Sequence, residues 1–436
     1  MSSKRSSAEK LKLKELISIG VGGMVGGGIF SVLGLAAYMA GHAAPVAFAL
    51  GGIVALITGL SYAKLGLAFR SDGGSFTYLE HAFKNRNVAG IGGWLLLVGY
   101  IGTLALYSYT FGIYGAAMFG EASKNPAVSH FLESFILLLF MGINLYGVKA
   151  AGETEDVIVM VKVLILSLFA VVGLVFFKTD HFLPVFNKSA INIFMGAALI
   201  FVAYEGFELI PNAVNEMKNP SRDLPRGIFF SICITTGIYI LVSLVAVANL
   251  TPVEISKYKE YALAVAAKPF LGHMGFLLIG IGALLSTASA INATLFGTAR
   301  LGMIMAQEST LPRAFSHKER TKDIPWVSLL VITAITLVFV NVSNLAIISS
   351  FASSVFLMIF ASINLSAYRL KDKIGITPLI PVTGLVLTVI SWIVLSGYLW
   401  EKNRQGLLWI IGCYVCVIVA ELLFSKRKLK WRKLAQ

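Results

Sequence analysis

The sequence predicts an all-α integral membrane protein of about twelve spanning helices, with the first and the sixth interrupted. Three observations carry this reading. The 436 residues are 57% hydrophobic and only 13% charged, with a mean hydropathy of +0.80, whereas a soluble domain carries about a quarter charged residues. Apolar stretches of about 20 residues, the length a bilayer asks of a helix, recur between polar or basic punctuation. Two of these stretches carry features at membrane depth that break a helix. The net charge of +14 does not imply a nucleic-acid partner. The basic residues sit in short runs between apolar stretches and at both ends, where they suit anionic lipid headgroups.

In order, residues 1–14 form a short basic segment, and the first span is expected over 15–40. It contains Gly20, Gly22, Gly23, Gly26, Gly27 and Gly28 before Ile29 and Phe30. Each glycine costs a helix interior about 1 kcal/mol relative to alanine, so three in succession mark a break. Close helix packing also suits glycines, but it does not call for three adjacent ones. Spans two to five follow over 44–69, 88–119, 131–151 and 154–177, the fifth enclosing Lys162 in VIVMVKVLILSLF. The sixth, 191–215, reads AYEGFE over 203–208, with two carboxylates at membrane depth. Spans over 227–250, 272–306, 327–342, 345–369, 377–398 and 406–424 complete the set, before a basic tail over 425–436. Cys413 and Cys416 form a CxxC inside the last span, with no second ligand pair. They read as structural, and neither a metal nor a cofactor is expected.

Five helices separate the two breaks, so the sixth span runs opposite to the first. Interrupted helices in corresponding positions of two inverted halves point to a transporter's binding site. Lysine and arginine set the orientation. Twenty-five fall at the ends and in one set of loops, eight in the other set, and three (Lys64, Lys162, Arg300) within helices. The positive-inside rule then makes both termini cytoplasmic, in a multi-pass protein of the cell membrane.

Several segments together resemble the amino acid–polyamine–organocation superfamily, whose fold is of the LeuT type. The first span reads GVGGMVGGGIFSVLG, similar to the family's glycine-rich break followed by Ile-Phe. SDGGSFTYLEHAF after the second span resembles its Gly-Gly-x-x-x-Tyr segment. FVAYEGFELIPNAVNEMKNPSRDLPRGI resembles the break of its sixth helix and the connector beyond. ARLGMIMAQESTLPRAF resembles the end of its eighth helix, with Gln307, Glu308 and Ser309 in place of Arg-Asp-Gly. The resemblance implies a 5+5 inverted repeat over 15–177 and 191–369, followed by two further helices over 377–424. It also implies an amino acid as substrate.

What the resemblance implies can be placed on single residues. Gly26, Gly27 and Gly28 match the positions that receive the substrate's carboxylate at the start of a half-helix, where unpaired N–H groups and the helix dipole favour an anion. Carbonyls of Phe201, Val202 and Glu205, with those near Val21 and Met24, are expected to accept from its ammonium. Tyr204 or Phe207 is expected to serve as the gate, because Val202 stands where some relatives carry a large aromatic. The matching fifth helix passes an ion site, where the Lys162 ammonium can stand in for sodium. A charged side chain at that depth costs at least about 2.5–3.5 kcal/mol, so the group can gain and lose a proton. Protonated, it would bond carbonyls near Gly22 and hydroxyls such as Ser286 or Thr287. A static lysine paired with a buried acid is the other reading. Glu208 matches the family's acid after Gly-Phe and is expected to order the break or the proton path. Glu205, where many relatives are apolar, either faces substrate and favours a cationic side chain or caps N–H groups that the break exposes.

A membrane enzyme would need a nucleophile with its base, or a metal pair, and no such arrangement is legible. A channel would need a continuous polar pore, whereas polar groups here gather at two breaks. The expected function is secondary transport of amino acids by alternating access, with protons as coupling ion. Sodium symport and amino acid or polyamine exchange remain as alternatives.

Overall fold

The computed structural model describes residues 10–424 apart from 72, 121–124, 148–151, 178, 309 and 320–323. Residues 1–9, Ser309 and the basic tail expected over 425–436 lie outside the described residues. What is described is helical, with one isolated bridge between Leu11 and Met217.

The first span is two helices. α1 (Leu13–Met24) stops at Val25 and α2 (Gly27–Ala40) starts from Gly26, whose φ of −88° and ψ of −144° lie outside the helical region. α3 (Ala44–Ala68), α4 (Gly74–Ala82) and α5 (Arg86–Met118) follow. α6 (Pro126–Tyr146) begins five residues before the expected 131. Asn125 caps it by accepting from the Ala127 N–H at 3.0 Å, Pro126 stands at its first position, and Gly147 in the left-handed region (φ 85°) ends it. α7 (Gly152–Val175) carries Lys162, and α8 (Thr179–Phe182) is a single turn.

The sixth span is broken twice. α9 (Ala190–Leu199) passes at Ile200 into a 3-10 turn, Phe201–Tyr204, and a 3-10 segment, Phe207–Glu216, follows Gly206. The whole is bent by 53°. Gly206 has a φ of 125°, which L side chains rarely adopt, and Pro211 inside the second segment has no N–H to give. α10 (Pro220–Asn249) starts seven residues before the expected 227, with Pro220 in its first turn.

α11 (Pro252–Tyr258) precedes α12 (Ala262–Gln307), which kinks at Gly272 (φ 62°), the expected start of the eighth span. α13 (Trp326–Val342), α14 (Leu345–Arg369), the short α15 (Lys371–Ile374), α16 (Leu379–Lys402) and α17 (Arg404–Phe424) complete the chain. By length and composition, nine helical stretches among the described residues can cross a membrane, one of them being α2 and α3 taken together. With α2 and α3 counted apart, the bent sixth span and the shorter α13 bring the count to the expected twelve. Helices packed on all sides, α5 and α14 among them, bury most of their residues, whereas α16 and α17 present Ile390, Ile393, Leu408 and Trp409 outward, as lipid contact requires.

Candidate functional site

The two breaks touch through their backbones. A Cβ placed on Gly23 would stand 3.0 Å from Gly206 Cα, and one placed on Gly206 would stand 2.5 Å from the Gly23 carbonyl carbon. Glycine at both positions lets the interrupted spans cross at a separation that a side chain would prevent.

Breaking a helix releases carbonyls, and in a buried, water-poor setting each needs a donor. Surrounding helices supply them. Lys162 on α7, 1% exposed, donates to Gly22 O at 2.7 Å. Tyr239 on α10 lies 2.6 Å from Met24 O and 3.0 Å from Ala203 O, so one hydroxyl serves a carbonyl of each break. Ser286 on α12 donates to Val25 O at 2.8 Å. Ser349 and Ser353 on α14 both donate to Leu199 O, at 2.9 and 2.8 Å, and Ser353 accepts from the Val202 N–H at 3.0 Å. Glu208 caps the second break from within, accepting from the Gly206 N–H at 2.7 Å.

Beside the crossing lies a cavity of about 410 Å³. Gly22 and Gly23 line it from α1, Glu205, Glu208 and Asn212 from the sixth span, Tyr100 and Tyr107 from α5, and Ala290 to Ile304 from α12. It runs from the breaks to the face on which α1 begins, reaching the exposed Glu216 and Arg300. At that rim Leu11 exchanges backbone hydrogen bonds of 2.9 Å with Glu216 and Lys218, which ties the start of the chain to the end of the sixth span. The opposite side is closed. There Tyr114 donates to Phe30 O at 2.7 Å, and Tyr109 donates to Glu260 at 2.7 Å, joining α5 to the connection before α12.

The expected site residues divide into three groups. Gly22, Glu205 and Glu208 line the cavity, with Glu205 accepting from Thr103 on α5 at 2.5 Å. Gly26, Gly27 and Gly28 form the start of α2, which no side chain caps. The Tyr107 ring lies against the first two: a Cβ on Gly26 would stand 3.0 Å from its hydroxyl, and one on Gly27 2.6 Å from its ring, while Gly28 meets Ala203. The remaining residues stand behind the cavity wall. Val21 O accepts from Val25 N and Val202 O from Glu205 N, while Met24 O is held by Tyr239. Thr287 turns its hydroxyl back to Ala283 O at 2.7 Å rather than toward Lys162. Phe201 packs on Phe360.

The two aromatics expected at the gate also stand away from the cavity. Tyr204 donates to Phe48 O on α3 at 2.5 Å, and Phe207 is enclosed by Tyr62 and Phe360. The 3-10 turn rotates these rings toward α3 and α14. The aromatics that line the cavity are Tyr100 and Tyr107. Neither these nor Thr103 and Tyr239 stand out in the sequence. They sit in otherwise ordinary apolar helices, and the packing of α5 and α10 beside the breaks is what brings them to the site.

Comparison with known proteins agrees with this architecture. Residues 11–419 match the profile of the amino acid permease family. The chain is 36% identical over 419 residues to an uncharacterized protein of Methanocaldococcus jannaschii, covering 96% of each chain. It is 32% identical over 428 residues to the inner membrane transport protein YbaT of Escherichia coli, covering 96% of this chain and 97% of that one. A crystal structure of a manganese transporter mutant from Eremococcus coleocola superimposes with a TM-score of 0.60 at 12% identity, covering 97% and 96% of the two chains. That likeness shows the fold, which is LeuT-like. With its family profile spanning nearly the whole length and its breaks assembled around one cavity, this chain belongs to the amino acid permease family of membrane transporters.

Proposed function

We propose that the protein is a secondary amino acid transporter working by alternating access, with the described conformation open to the face on which α1 begins. The observation that carries the coupling part is the Lys162 ammonium, buried in α7 and 2.7 Å from Gly22 O at the edge of the first break. A charged donor on a break carbonyl ties α1 to α7, and loss of its proton removes the charge that strengthens the bond. Lys162 is therefore the proton carrier of the cycle, in the place of an inorganic cation. Ser286, on Val25 O three residues further along, holds the same break to α12.

In this reading the substrate's carboxylate lies at the start of α2, where unpaired N–H groups converge, once the Tyr107 ring moves aside or turns its hydroxyl to it. The ammonium is received by carbonyls of the breaks. Residues 15–177 and 191–369 are the two inverted repeats, and α16 and α17 lie outside them. Both termini are cytoplasmic, as the excess of lysine and arginine in that set of loops supports, so the cavity faces the cytoplasm. One proton crossing 100 mV contributes about 2.3 kcal/mol, which at 1.4 kcal/mol per decade sustains roughly a fifty-fold gradient.

The test is uptake of a labelled amino-acid panel into proteoliposomes under imposed proton or sodium gradients. Uptake that follows the proton gradient and saturates at low turnover supports the proposal. Uptake that requires sodium overturns the coupling, and flux that does not saturate overturns the carrier.

A further inference from the structure

One wall of the cavity holds acceptors that the hydrogen bonds among the described residues leave partly unused. Glu205, Glu208 and Asn212 line it from the broken sixth span, and the two carboxylates are 4% and 3% exposed. Glu205 Oε2 accepts from Thr103 and Glu208 Oε2 from the Gly206 N–H. Glu208 Oε1 and Asn212 Oδ1 have no hydrogen-bond partner among the described residues. Tyr100 stands beside both carboxylates, with its hydroxyl directed toward Glu208. The basic residue among those lining the cavity, Arg300, stands at the exposed rim and stacks on Phe296 at 5.3 Å. A buried carboxylate is tolerated when a cation or a set of donors meets it. Two of them on one wall, beside the Asn212 oxygen, offer a positively charged occupant several acceptors at once.

We propose that this wall is the subsite for a cationic side chain, so that the protein carries amino acids bearing a second ammonium or a guanidinium, of the lysine, ornithine and arginine class. The proposal rests on the transporter reading of the same cavity and names its substrate. Tyr107 touches Gly26 and Gly27 on one side and stands near Glu205 and Glu208 on the other. The carboxylate position at α2 and the acidic wall therefore lie on either side of Tyr107, and an extended amino acid spans them once that ring moves aside. Charge-assisted hydrogen bonds to two carboxylates are about twice as strong as neutral ones. A hydrocarbon chain of the same length would leave the acceptors unpaired.

The test compares lysine with norleucine, which carries a methyl group in place of the terminal aminomethyl group, in equilibrium binding to the purified full-length protein. Lysine is expected to bind at least about tenfold more tightly, the equivalent of 1.4 kcal/mol. Glu205→Gln and Glu208→Gln are each expected to bring the lysine-to-norleucine ratio toward one, and Asn212→Leu to lower it. Because the wild-type ratio needs no variant, a substitution that fails to fold does not remove the test. Equal binding of lysine and norleucine overturns the subsite and leaves the transporter reading standing. Tighter binding of norleucine, with a pH dependence that Glu205→Gln abolishes, overturns it in favour of a proton shared by the carboxylates. Binding of no amino acid overturns the transporter reading as well.

Discussion

Replacing Gly206 by alanine tests whether the crossing of the two breaks is the mechanical centre of the site. The new Cβ would stand 2.5 Å from the Gly23 carbonyl carbon and 2.6 Å from Met24 N, both backbone atoms that cannot rotate away. Two costs add. A side chain at a φ of 125° carries strain of about 1–3 kcal/mol, and overpacking adds about 1–3 kcal/mol. The sum, about 2–6 kcal/mol, exceeds a typical conformational preference and corresponds to at least a thirty-fold loss of the assembled site. The assay is amino acid uptake and binding for Gly206→Ala beside Gly237→Ala, measured at matched protein levels after size exclusion. Gly237 lies in α10, where an added Cβ would meet nothing within 4 Å, so its substitution is expected to leave transport as it is. Uptake by Gly206→Ala within twofold of wild type would mean that the breaks are free to separate without loss and that their crossing is not the centre of the site.

Two further outcomes follow from the hydrogen bonds around the site. Tyr239→Phe leaves Met24 O and Ala203 O without the hydroxyl that serves them, a loss of about 1–3 kcal/mol. It is expected to lower both thermal stability and substrate affinity, whereas Tyr204→Phe, which gives up a bond to Phe48 O away from the cavity, lowers stability alone. Tyr109→Phe removes the tie to Glu260 on the closed side, worth about 0.5–1.5 kcal/mol. In a background without native cysteines, it is expected to slow thiol labelling of an Ala293→Cys reporter in the cavity about two- to tenfold. Unchanged labelling would show that this bond does not hold the closed side shut.

Much of this architecture is legible in the chain because lipid restricts the choices. A span must be about 20 apolar residues of helix, so Gly20 to Gly28 and the AYEGFE segment stand out as exceptions. The structure breaks the chain at Val25–Gly26 and around Ile200 and Gly206. Boundaries are harder to read where a polar cap opens a span. The Asn125–Pro126 start of α6 precedes its apolar run by several residues, and so does the Pro220 start of α10. The direction of side chains is the harder matter still. Tyr204 adjoins the break in sequence, yet a 3-10 turn carries its ring to α3. Tyr107, nearly a hundred residues earlier, lies against the start of α2. Adjacency along the chain gives the location of a break, and tertiary packing decides which rings face it.

The coupling proposed for the Lys162 ammonium on Gly22 O is tested most directly by separating exchange from driven uptake in Lys162→Ala. In proteoliposomes, counterflow of labelled against unlabelled amino acid reports substrate movement without net proton flow, while uptake under an imposed pH gradient reports coupling. Lys162→Ala is expected to keep measurable counterflow and to lose all acceleration by the pH gradient. A variant whose uptake still rises with the proton gradient as steeply as wild type would contradict that coupling.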